Sequence, residues 1–120
     1  MGAYYAIFNH SKREFIAPFT LGLDEKYMSI TGEPVSQLII HQLVNGSAYI
    51  ENISGLIGNW CGDEIEIIPD DNIQNTELRE NLERLYQDVS KKSAKQLRSF
   101  DSSWAVVYTD NGEEIDLITW

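Results

Sequence analysis

Positive charge is what this chain has least of. Nine lysines and arginines face nineteen aspartates and glutamates, for a net charge of −10 at neutral pH and an isoelectric point near 4.4. Such a field repels phosphate backbones and anionic bilayers, so nucleic acid and membranes are not expected as direct partners. A basic protein is attracted and steered in by the same field, although acidity also serves simple solubility. Cysteine is nearly absent too. With Cys61 alone, no intramolecular disulfide can form, which fits a reducing compartment. No apolar run approaches the roughly 18 residues that span a bilayer. The opening MGAYYAIFNHSKREF lacks a basic segment followed by an apolar one, and Ala6 stands where a myristoylation signal needs Ser or Thr. A cytoplasmic location is the expectation.

Motifs of catalysis and metal binding are missing as well. The chain holds no GxGxxG, GxxxxGK[ST] or GxSxG, and no CxxC or HxxxH pair. A calcium loop started at Asp70 fails, because Asn75 and Asn81 occupy the positions that require Gly and Glu. Neither a metal nor a cofactor is expected. An enzyme reading has only sparse parts. Cys61 is one, but Asp63 and Glu64 beside it oppose a thiolate, and a small buried thiol is the expected state. The others are His10, His41 and Lys12, the components of a metal-independent ribonuclease, although the acidic field repels RNA.

What is present is patterned. Residues 3–8 (AYYAIF) and 14–17 (EFIA) read as strands joined by the polar turn NHSKR. Residues 21–33 read as an irregular connection punctuated by Gly22 and Gly32. Residues 34–44 read as a helix with Pro34 at its first position and Asn45-Gly46 as its stop. Val35, Leu38, Ile39 and Leu43 form its apolar stripe, widened by Ile40 and Val44. In 64–69, Ile65 and Ile67 alternate with Glu64 and Glu66, which predicts a half-buried strand with an acidic outer face, ended by Pro69. Residues 76–89 read as a helix capped by Asn75 or Thr76, with Leu78, Leu82, Leu85 and Val89 inward; residues 90–100 either continue it or restart. Two runs, 104–108 and 114–119, flank Asp110-Asn111-Gly112, a strong hairpin signal. The fold class expected is α+β: one two-layer domain over residues 1–120, with two main helices and an antiparallel or mixed sheet of about five strands, in chain order ββ-α-β-α-ββ.

The acidity is concentrated. Residues 63–88 carry nine acids against Arg79 and Arg84, and residues 101–120 carry five with no base. Between them Lys91, Lys92, Lys95 and Arg98 make a basic island. Carboxylates on regular elements are held in fixed positions, which favours specific pairing with a basic surface. The partner-binding residues expected are Asp63, Glu64, Glu66, Asp70, Asp71, Glu77, Glu80 and Glu83, then Glu113, Glu114 and Asp116. Trp120 joins them as the tryptophan expected to be exposed, whereas Trp104 within WAVVY is expected in the core and Trp60 beside the 64–69 strand.

The segments MGAYYAIFNHSKREFI and GNWCGDEIEIIPD carry a resemblance. They resemble a group of small bacterial proteins that open on MGAYY, follow with an N-H/E-[ST]-K-[KR]-E-[YF] turn and later carry a W-x-G-D-x-I strand. Such proteins look similar to immunity proteins of polymorphic toxin systems, contact-dependent growth inhibition among them. The resemblance implies a non-enzymatic cytoplasmic inhibitor that forms a 1:1 heterodimer with one cognate basic toxin. That toxin is expected to be the C-terminal domain of a larger effector, a ribonuclease or other nuclease.

Overall fold

The computed structural model describes residues 3–45 and 55–120. The fold is α+β. Strands β1 (Tyr5–Asn9) and β2 (Glu14–Ile16) form the N-terminal hairpin. A single 3-10 turn (Pro18–Leu21) follows, then helices α1 (Tyr27–Thr31) and α2 (Val35–Leu43). Next come β3 (Ile65–Pro69), α3 (Ile73–Leu85), the two-residue β4 (Gln87–Asp88), α4 (Ser90–Phe100), and the hairpin strands β5 (Val106–Tyr108) and β6 (Glu114–Asp116).

Four strands join in the order β3-β1-β2-β4, and β5-β6 make a separate two-stranded sheet. β1 is central: Ala6, Ile7, Phe8 and Asn9 are all buried, the continuous burial of a strand covered on both faces. It pairs antiparallel with β2 and β3, whereas β2 and β4 run parallel, which makes the sheet mixed. Neighbouring residues on a strand point to opposite faces. Ile7 and Ile16 therefore enter the larger core, with Leu38, Trp60, Leu97 and Trp104, while Ala6, Phe8 and Phe15 meet Ile68 and Leu82 on the other side. Trp60 is fully buried and its indole N–H donates to Glu14 at 3.0 Å. Trp104 is in the core as expected, donating to the Pro34 carbonyl at 2.9 Å.

Several details depart from the sequence reading. The faces of β3 are not one apolar and one acidic. Ile68 is the fully buried residue, while Ile67 is 48% exposed. The reason is that both sheet faces are covered and β3 lies at the edge, so Ile68 pairs beside Ala6 under α3 and Ile67 sits at the rim. Glu66 is exposed as expected, although it lies on the same face as the buried Ile68. The connection at 21–33 contains α1 and not an irregular loop. In α2, Val35, Leu38 and Gln42 are the buried positions, whereas Ile40, Leu43 and Val44 are exposed. Its stop at Asn45-Gly46 falls partly outside the described residues, at Gly46. Helix α3 begins one turn earlier than expected, because Asn72 rather than Asn75 or Thr76 caps it, accepting the Asn75 N–H at 2.8 Å. Of its leucines only Leu82 is buried; Leu85 is exposed, and Arg79 takes the inward position instead. The chain then breaks, adds β4 through Gln87 N–H to Arg13 O and Val89 N–H to Phe15 O, and restarts as α4. Cys61 is half-buried rather than buried.

No helix among the described residues is long and apolar enough to cross a membrane.

Candidate functional site

The acidic residues fall into three separate places. The first is the exposed side of α3. Asp71 accepts from the Asn75 and Asn72 side-chain amides at 2.9 and 3.2 Å, and Thr76 donates to the Asn72 carbonyl at 2.8 Å, so the first turn is tightly tied. Glu77, Glu80 and Glu83 follow at three-residue spacing, which at about 100° per residue spreads them over an arc of roughly 120°. Asp70, Thr76, Arg79, Glu80 and Glu83 line a cleft of about 170 Å³. Asp70 accepts the Tyr4 N–H at 2.8 Å, and Glu83 accepts from Arg79 at 3.2 Å. Asp71, Glu77 and Glu80 meet no cation among the described residues.

Beneath this cleft lies a pair the sequence did not single out. Glu25 is 1% exposed and Arg79 9%. One Glu25 oxygen accepts the Phe19 N–H at 3.1 Å, and the other stands 3.7 Å from Arg79. Arg79 also donates to the Tyr4 carbonyl at 2.7 Å. Burial pushes the Glu25 carboxyl above its ordinary range, opposed by the Phe19 N–H and the Arg79 charge. Glu25 sits in LDEKY and looks like ordinary turn charge. The available signal was Arg79, a charge three residues from Thr76 and Leu82 on the inward side of a helix.

The second place is the turn end of the sheet. In antiparallel register Ile65 pairs with Asn9 and Pro69 with Tyr5, so Asp63 and Glu64 lie at the far end of β3 from Asp70. At about 3.3 Å per residue the two ends are roughly 20 Å apart. Asp63 is engaged internally. Lys12 pairs with it, and the buried Asn9 donates to it at 2.8 Å; these hold its carboxyl below the usual range. Glu66 receives His10 Nε2 at 2.8 Å, while His10 Nδ1 meets the Tyr86 hydroxyl at 2.8 Å. Only Glu64 is left open, its backbone N–H donating to Ser11.

The third place is the C-terminal hairpin. Asp116 takes a two-point contact from Arg98 at 3.0 and 2.9 Å and a bond from the Trp120 indole at 3.3 Å. Arg98, first of all, drives the Asp116 carboxyl far below the usual range, and Asp116 in turn raises Arg98. The Arg98 guanidinium lies 5.5 Å from the Trp120 ring centroid, so Trp120, although 46% exposed, is already engaged. Glu113 and Glu114 are exposed without an ion pair among the described residues.

Among the described residues no hydrogen bond joins the side chains of His10, His41 and Cys61. His10 engages Glu66 and Tyr86, His41 packs edge-on to Phe100 at 5.7 Å, and the Cys61 N–H donates to Gly58. Among the described residues no three His, Cys, Asp or Glu side chains are grouped to hold a metal ion.

No family model, curated protein or solved structure matches this chain. The likeness to immunity proteins therefore rests on the residues that carry it.

Proposed function

We propose that this protein binds and neutralises a cognate basic toxin domain, a ribonuclease or other nuclease at the C-terminus of a larger effector, acting in the cytoplasm as a 1:1 partner. The observation that carries the reading is the division of the carboxylates into engaged and open ones. Asp63, Glu83 and Asp116 pair with Lys12, Arg79 and Arg98, and Glu66 is hydrogen-bonded to His10. Glu64, Asp71, Glu77, Glu80, Glu113 and Glu114 remain exposed on regular elements or beside them, where they raise the on-rate of a basic partner and pair with its cations on docking. The first expectation is thus narrowed to about half of its residues. His10, His41 and Cys61, with no side-chain hydrogen bond among them in the described residues, give the hydrolase alternative no comparable support.

The test is co-purification with the product of the adjacent gene, followed by a nuclease assay of the mixture and stopped-flow association at rising salt. Loss of nuclease activity on mixing, with association slowed about tenfold or more between low and physiological salt, is the expected result. Glu77→Lys with Glu80→Lys slows association further. Association that ignores both salt and these substitutions refutes steering by α3.

A further inference from the structure

A second cleft, of about 410 Å³, opens where the start of α2 meets the connection from α4 to β5. Glu33, Pro34, Gln37, Asp101, Val107 and Leu117 are among its lining residues. We propose that it is the socket for an arginine side chain presented, between aliphatic neighbours, by the basic partner. This rests on the binding reading above and names where on the surface the partner anchors.

Three observations point there. The first is the hairpin's exposed apolar row. Val107 lies opposite Ile115, and Val106 opposite Asp116, so the two faces are distinguished by register. The Asp116 face is polar: Arg98 covers Asp116 at one end, and Tyr108 and Glu114 are exposed at the other. The Val107 face is open: Val107 is 43% and Ile115 44% exposed, and Leu117 continues the row into the cleft. A two-stranded sheet is marginal alone, and an apolar face on it gains from a cover. The second observation is charge. The lining residues include the carboxylates Glu33 and Asp101 and no lysine or arginine. Glu33 makes no ion pair among the described residues, and Asp101 is held ionised by the Ser103 hydroxyl at 2.7 Å and its N–H at 3.1 Å. An apolar wall with carboxylates at its rim complements an aliphatic stem that ends in a cation. Arginine suits it best, since a planar head can lie along Pro34 while its fork reaches a carboxylate. The third observation is size: the volume falls at the low end of ligand pockets, about 300–1,000 Å³, enough for one anchoring residue and its neighbour. A second copy of this chain is a poor occupant, because both surfaces would carry the same strong negative charge.

The test is nuclear magnetic resonance on the uniformly ¹⁵N-labelled full chain. The probe is Ac-Leu-Arg-Leu-NH₂, with the citrulline analogue Ac-Leu-Cit-Leu-NH₂ as an uncharged match. Saturable shifts at the Trp104 indole N–H and at the Val107 and Leu117 amides are expected, at least about tenfold weaker with citrulline. Val107→Lys places a cation on the exposed wall and abolishes them; Glu33→Gln weakens them severalfold. Silence of these signals at millimolar peptide overturns the socket, as does equal binding of the citrulline peptide. Shifts confined to Asp70 and Glu80 also overturn it, but leave an acidic surface binding a basic partner intact. Failure of co-purification and of salt-dependent association removes that wider reading instead.

Discussion

Removing the Arg79 side chain should cost far more than its place on a surface helix suggests. Arg79→Met keeps the aliphatic volume and deletes the guanidinium. Glu25, 1% exposed, then keeps only the Phe19 N–H, and the Tyr4 carbonyl loses its 2.7 Å donor. Breaking one side of a buried pair costs about 3–5 kcal/mol, because a charge is left without a partner. Urea unfolding is the assay; with a slope of about 1–3 kcal/mol per molar, the midpoint should fall by roughly 2 M. Two controls separate the buried charge from lost packing. Glu25→Gln in the Arg79→Met background should restore most of the loss, with a coupling of about 2 kcal/mol or more. The pH dependence has a definite sign as well. The Glu25 carboxyl is raised in the folded state, so its contribution is full below the unfolded glutamate pKa, about 4.3, and is lost as pH rises through the folded value. Without Arg79 the folded value climbs further, and the deficit of Arg79→Met should shrink from pH 7 to pH 5. A cost below about 1 kcal/mol, or a deficit indifferent to both pH and Glu25→Gln, refutes the account.

Other substitutions probe separate features. Gly22 has φ +79° and a Cβ there would collide with the Thr119 side chain, so Gly22→Ala should lower stability by about 2–3 kcal/mol in thermal or urea unfolding. Asp116→Asn should cost under about 1 kcal/mol at pH 7, since the pair with Arg98 is partly exposed. The folded carboxyl is depressed, so the wild-type advantage exists above about pH 3.9 and disappears in melts recorded as pH falls well below it. Cys61→Ser should change stability by less than about 1 kcal/mol and leave neutralisation of the toxin domain unchanged; loss of neutralisation without unfolding would return the thiol to the mechanism.

Local chemistry explains which parts were legible in the sequence. The N-terminal hairpin followed from a short aromatic strand, a polar turn and a returning strand, and the C-terminal one from Asn111-Gly112, because hairpins are set by neighbours in sequence. The existence of β3 was legible, but its faces were not: Ile67 and Ile68 differ only in what covers them, and that cover, α3, is supplied from elsewhere in the chain. The start of α3 was missed by a turn because Asn72, Asn75 and Thr76 are all competent caps, and only Asn72 has the extended backbone of one. The acidic segments were plain from composition. Which carboxylates stay free was not, since Asp63 meets Lys12 and Glu66 meets His10 across more than fifty residues. Glu25 and Arg79 are separated just as widely along the chain, and nothing near Glu25 marks it as buried.

The order of the sheet also bears on synthesis. The two inner strands, β1 and β2, leave the ribosome before their outer partners and are neighbours in the chain, yet both of those partners arrive late. Tyr5 waits for Pro69, and Glu14 for Gln87. At about 5–20 residues per second, the aromatic hairpin spends several seconds with both edges unpaired. The β2 edge waits longest, and before Gln87 arrives the chain gains the acids from Asp63 to Glu83. Like charge on that stretch disfavours the docking of one nascent copy's bare edge on another's, and so strand exchange between chains on one message.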